Sequence, residues 1–291
     1  MLYITHPLSG LLMITLAEAY GLWLTRKFKL GWGIFGLGAI TFVLSQAVHL
    51  PLNALIGRAL QQNPALLPPN DWGLLFYAVL FGFTAGICEE GMRLIVLRGW
   101  AKHIRSWKSG VLFGAGHGGV EAAILGVLVL VNFFYLAAYK DRDLSALVPL
   151  EQLELAKVQI EAYWSVEWYL PLVGLLERVL TIPIHIAMTL MVLQVFLRKQ
   201  PVWFIGAVSF HTAVNAIAVT VLSTGGVWAA EGVVAVFTLV SLGIIRWLGK
   251  RTVESAPKHE VEQVSTIIEI QRVEEKDDSD EKVSDSRYTQ F

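Results

Sequence analysis

A chain of 291 residues that is 55% hydrophobic and 16% charged, with a mean hydropathy of +0.55, departs from soluble domains, in which about 25% of residues are charged. Its net charge of -1 comes with no nucleic-acid-binding motif, so nucleic acid is not an expected partner, and its single cysteine, Cys88, excludes an intrachain disulfide. Repeated apolar runs of about 20 residues, the length that crosses about 30 Å of hydrocarbon, predict an all-α polytopic membrane protein whose first partner is the lipid bilayer.

Seven spans are predicted. The first, Leu8–Thr25, lacks a basic leader and a small-residue cleavage site, so it is expected to be retained; Arg26, Lys27 and Lys29 follow it. The second is Gly31–Leu50. The third, Trp72–Leu97, is followed by Arg98, Lys102, Arg105 and Lys108, and the fourth is Ser109–Tyr139. The segment Asp141–Trp168 is acid-rich, with an amphipathic helix expected around "LEQLELAKVQIEAYW". The fifth span, Leu170–Leu197, leads to Arg198 and Lys199; the sixth is Val202–Ser223; the seventh, Val227–Leu248, precedes Lys250 and Arg251. Basic residues thus gather in alternate connections, and the positive-inside rule puts the N-terminus outside and the C-terminus in the cytoplasm. Trp32, Trp72, Trp168, Trp203, Trp228 and Trp247 stand near span ends, where tryptophan anchors the interface. Residues 1–250 read as the membrane domain. Residues 251–291 read as an acidic, disordered tail, since Thr252–Phe291 holds 11 acidic against 5 basic residues.

Ionisable side chains inside a span cost about 2.5–3.5 kcal/mol each on insertion scales and usually serve function. Glu89 and Glu90 lie roughly 12 Å from the cytoplasmic end of the third span, His117 roughly 12 Å into the fourth, His185 roughly 18 Å before the end of the fifth and His211 roughly 14 Å into the sixth, at a helical rise of about 1.5 Å per residue. Four helices deliver carboxylates and imidazoles to one slab, which predicts a single polar cavity opening toward the cytoplasm. In "CEEGMR", Arg93 is i,i+4 from Glu89 and i,i+3 from Glu90, so one carboxylate can pair with it while the other faces the cavity. His117 and Glu121 share a face, as do His211 and Asn215, and Arg178 and His185. Gly114, Gly116, Gly118 and Gly119 strip the fourth span of bulk, which admits a neighbouring helix or a substrate backbone. Glu18, Gln46, His49, Asn132 and Glu231 fit no motif and read as packing or cavity wall. Cys88 reads as a small apolar filler.

Three histidines with two or more carboxylates suit one divalent metal, zinc being the first choice, with a carboxylate to activate water. The same groups could work without metal, a carboxylate and His117 activating water while His211 and Asn215 donate to an oxyanion. Either scheme predicts hydrolysis of an acyl bond within the membrane. The alternative from another class is a divalent-cation or proton transporter, which also uses intramembrane Glu and His chains.

Glu89-Glu90-x-x-Arg93, Phe113-x-x-x-His117 and His211-x-x-x-Asn215, in that order on successive spans, resemble the motifs of the CAAX prenyl protease and bacteriocin-processing (Abi) superfamily. "GHGGVEA" and the "ER…H" of the fifth span are more similar to the YhfC-type intramembrane metalloproteases. The resemblance covers residues 82–218. It implies a protease of a bacterial-type cell membrane acting on a membrane-embedded peptide or protein. It implies Glu89 or Glu90 as the water-activating carboxylate, Arg93 as its structural partner, His117 and His211 as ligands or acid–base groups, and Asn215 as an oxyanion donor. The Glu–Arg spacing is one residue shorter than in CAAX proteases, which leaves open which glutamate faces the cavity. Glu121, Glu177 and His185 go beyond that superfamily's minimal site and favour a metal, held by His117, His185 and His211, with Arg178 beside them in an orienting role.

Overall fold

The computed structural model describes residues 1–66, 68, 72–146 and 148–254. The chain divides into a compact unit, Met1–Leu248, and a second, Gly249–Phe291. The tail reading for 251–291 therefore falls almost wholly outside the described residues, of which 251–254 are helical.

Among the described residues there are eight α-helices and no strand: α1 (Leu2–Phe28), α2 (Trp32–Gln62), α3 (Trp72–Arg98), α4 (Trp107–Tyr139), α5 (Leu150–Ser165), α6 (Leu170–Leu197), α7 (Val202–Gly225) and α8 (Val227–Glu254). All except α5 are long and apolar enough to cross a membrane, giving the seven expected spans. Helices are the expected form, because lipid offers no partner for backbone N–H and C=O groups and each must be satisfied within its own segment.

Local chemistry sets the ends. Lys29 closes α1 in the left-handed region, with φ 56°. Ser106 and Ser109 bond reciprocally to form a capping box that starts α4, and Gly226, at φ 81°, separates α7 from α8. One boundary differs plainly from the sequence reading. The second span does not stop at Leu50 but runs through Pro51 to Gln62, since neighbouring groups in a membrane bundle tolerate the bond that proline removes.

Helix α4 is central, packed against α1, α2 and α6, while α3 lies between α2 and α7. Glycines permit the closest approach. A Cβ on Gly38 of α2 would lie 1.9 Å from the Phe113 carbonyl oxygen, and one on Gly116 would lie 2.0 Å from that of Phe35. The bare face of α4 thus receives helices: α2 at Gly116, and α6 at Gly114, whose Cβ would meet the Ile186 Cα at 2.7 Å. Helix α8 is tied by Thr238 Oγ1, which donates to the Leu180 carbonyl at 2.8 Å, and by Trp107 Nε1, which donates to that of Ile245 at 2.9 Å.

The two ends of the bundle differ. At the end carrying the basic connections, Leu97, Ile104, Leu112, Phe113, Leu190 and Leu193 are wholly buried in the main apolar core. At the other end, α5 covers a corner where Tyr3, His6, Phe133, Tyr163 and Trp164 stack, and Lys140 lies 4.5 Å over the Trp164 ring.

Candidate metal centre

Helix α3 supplies the middle of the site. Glu90 and Arg93 are wholly buried and Glu89 nearly so. One helical turn apart, Glu90 Oε1 accepts from Arg93 Nη1, and the same oxygen lies 2.9 Å from His211 Nδ1 on α7. Glu89 points elsewhere. Its Oε2 is 3.1 Å from His117 Nε2 on α4, 4.0 Å from His185 Nδ1 on α6 and 3.8 Å from Arg93 Nη2. The two adjacent carboxylates therefore have separate partners, as a rotation of about 100° per residue requires. Glu90 is the principal mate of Arg93, and Glu89 joins the histidines.

His185 links this cluster to a second group of charges. Its Nδ1 accepts from Arg93 Nη2 at 2.8 Å, since a guanidinium can only donate. Its Nε2 lies 2.6 Å from Glu121 Oε2, an ion-pair contact. Glu121 Oε1 accepts from Arg178 Nη1 at 2.6 Å, and Arg178 Nη2 also donates to Glu177. Glu177 is the outermost member, its side chain 39% exposed. Asn215 stands apart, half-buried at the α3–α7 seam with its Cβ 3.4 Å from where a Cβ of Gly82 would sit.

The structure thus gathers Glu89, Glu90, Arg93, His117, His185 and His211 into one contact network, with Glu121, Arg178 and Glu177 as a branch. On the side of the basic connections, where the sequence predicts an opening, Leu97, Leu112, Leu190 and Leu193 are buried in the main apolar core. The branch runs the other way along α4 and α6, toward the α5 end.

Donor spacing selects a subset. Single ligand atoms of Glu89, His117 and His185 all lie within 4.8 Å of one another, and all three residues are buried. His211 is outside this group. A carboxylate with two imidazoles is an ordinary zinc donor set. Two buried acceptor-capable atoms of the network, Glu90 Oε2 and His117 Nδ1, have no hydrogen-bond partner, and buried polar atoms are normally satisfied. The residues present fit a divalent cation, and Arg93 Nη2 is the group that competes with it for His185 Nδ1.

Two contributors did not stand out in the sequence. Gln46 Nε2 donates to Glu89 Oε1 at 3.1 Å, and His49 Nδ1 lies 3.2 Å from Gln46 Oε1. Their spacing of three along α2 was the available signal, since it puts two polar groups on one face of an apolar span.

Comparison with known proteins follows the same lines. The sequence model of the family described as YhfC intramembrane metalloprotease matches residues 11–238. A relative from Bacillus subtilis (strain 168), "Uncharacterized membrane protein YhfC", is 27% identical over 256 residues, covering 84% of this chain and 93% of that protein. No solved structure matches.

Proposed function

Because the chain belongs to the YhfC intramembrane metalloprotease family, we propose that it is an endopeptidase that uses water to hydrolyse a peptide bond of a membrane-associated substrate, with one divalent metal, zinc by donor type, held by Glu89, His117 and His185. The observation that carries this reading is the buried meeting of those three donors within 4.8 Å, delivered by three different spans. A metal there supplies Lewis acidity toward water and a peptide carbonyl.

The other residues take roles from their contacts. The Glu90 carboxylate only accepts, so His211 donates to it through Nδ1, and in the neutral imidazole Nε2 is then bare. That arrangement makes His211 the general base that takes a proton from water and returns it to the leaving amine. Arg93 holds Glu90 in place for this task. Glu121, itself held by Arg178 and Glu177, orients His185. Asn215, one turn from His211, is the candidate amide donor to the developing oxyanion.

A transporter needs polar groups continuing toward both faces. The apolar layer on the basic side of the cluster argues against it.

The test is metal content. The full chain, purified without histidine tag or chelator and exposed to zinc, is expected to carry about one zinc per chain. His117→Ala and His185→Ala should lose it, and His211→Ala should keep it while losing proteolysis. A zinc-replete protein with no bound metal would overturn the metal reading.

A further inference from the structure

Helix α2 carries Gln46, His49 and Asn53 on one face at spacings of three and four, half-buried against α3. The four links that follow from Glu89 are continuous. Gln46 Nε2 reaches Glu89 Oε1 at 3.1 Å, and Gln46 Oε1 lies 3.2 Å from His49 Nδ1. His49 Nε2 lies 2.8 Å from Asn53 Nδ2, and Asn53 Oδ1 accepts from Thr84 Oγ1 at 2.8 Å. Thr84 Oγ1 also lies 2.9 Å from the Phe81 carbonyl, so its single proton has two acceptors and the direction of the row rests on Gln46, His49 and Asn53. Gln46 Nε2 has one further neighbour, Ser45 Oγ at 3.5 Å.

One ionised carboxylate fixes the direction of every link. Glu89 only accepts, so the Gln46 amide turns its NH₂ to it and its carbonyl to His49. His49 must then donate through Nδ1, which leaves Nε2 bare to accept from Asn53. The Asn53 carbonyl faces Thr84. All donors point toward Glu89, and each member carries the one donor and one acceptor its position demands.

We propose that Gln46, His49 and Asn53 are positioning residues that hold Glu89 Oε1, so that Oε2 is presented to His117 and His185. This rests on Glu89 being a metal ligand. It also explains why Glu89, and not Glu90, takes that place: Glu90 is engaged by Arg93 and His211, while Glu89 is steered from α2. Outer partners of this kind typically contribute about 10–100-fold to metal affinity.

Two measurements on the full-length protein in detergent micelles separate the outcomes. The first is nitrogen-15 NMR of selectively labelled histidine, with His49 assigned by its loss in His49→Gln. The expected spectrum shows His49 neutral, protonated at Nδ1, and shifted toward the other tautomer in Gln46→Leu and Asn53→Leu. A His49 protonated at Nε2, or insensitive to both variants, overturns the relay. The second is titration with Co²⁺, read by its visible absorption. His49→Leu and Gln46→Leu should bind about 10–100-fold more weakly than the parent. His49→Gln, which keeps a donor and an acceptor, should stay within a few-fold of it. Equal affinity in all four proteins overturns the positioning role. Absence of Co²⁺ binding by the parent overturns both the metal reading and the role built on it, while the NMR result still decides whether the hydrogen-bonded row exists.

Discussion

Glu90 and His211 meet at 2.9 Å between Oε1 and Nδ1, on the same oxygen that receives the Arg93 guanidinium. Glu89, the preceding residue, has the histidines of α4 and α6 instead. Two neighbouring carboxylates of one motif thus carry different burdens, and their variants should separate accordingly.

Glu90→Gln removes the carboxylate paired with Arg93 in a fully buried site, leaving the hydrogen bond to His185 and, as the one nearby opposite charge, the longer contact to Glu89. Breaking a buried pair from one side costs about 3–5 kcal/mol, so a marked drop in thermal stability is expected. Glu89→Gln leaves the Arg93–Glu90 pair intact and should unfold close to the parent temperature while failing to hold metal. Thermal unfolding in detergent, run beside metal analysis, checks both. Equal melting temperatures for the two variants would refute the division of roles.

Gly116→Ala should lower stability and metal content together. Its Cβ would stand 2.0 Å from the Phe35 carbonyl oxygen, and backbone cannot step aside as a side-chain tip can. Overpacking of this kind costs about 1–3 kcal/mol, and the displaced turn of α4 carries His117. Gly36→Ala on α2, which would meet nothing within 4 Å, is the control and should match the parent in both measurements.

Access should be one-sided. In a Cys88→Ala background, Glu177→Cys is expected to react with a membrane-impermeant thiol reagent applied to intact cells. Leu193→Cys, from the apolar layer, should stay unlabelled in intact cells and in inverted vesicles alike. Labelling at position 193 from inverted vesicles would reveal a route through the basic end.

Tyr163 lies outside the spans, packed 4.4 Å between ring centres against His6, and its hydroxyl has no hydrogen-bond partner. Desolvation by burial pushes its phenol up to about 12. Because the folded value is raised, its stabilising contribution is complete below the unfolded value of about 10 and is lost as pH rises through about 12. Tyr163→Phe should therefore lose less melting temperature than the parent between those values. It should be no less stable at neutral pH, since it removes an unsatisfied polar group. Parallel melting curves across that range would show the phenol to be solvated.

Hydropathy and length made the seven spans legible, since lipid demands long apolar helices and little else resembles them. The end of α2 was not legible, because Pro51 reads as a stop in a sequence and is absorbed in a bundle. At the site, depth along each helix brought out Glu89, His117, His185 and His211, since a rise per residue converts position directly into height. Depth carries no azimuth. It could not show that His211 turns to Glu90 while His117 and His185 turn to Glu89. It could not show that Gln46 reaches across from α2, because that contact depends on how α2 is turned and spaced against α3. The side on which the polar network ends depends on the layer formed by Leu97, Leu112, Leu190 and Leu193, four residues that look like any others in their spans.

That layer has a consequence for the cell's energy supply. A protein that keeps charged and proton-exchanging groups halfway through a membrane risks becoming a leak, and each elementary charge that crosses releases about 2.3 kcal/mol per 100 mV of membrane potential. Among the described residues, the side of the network beyond Glu90 and Arg93 is packed with buried leucines, which offer a proton arriving at His185 or Glu121 from the α5 end no polar group to move to. On the reading proposed above, the apolar layer would act as the insulator that lets buried charged groups sit within the spans without opening a path across them.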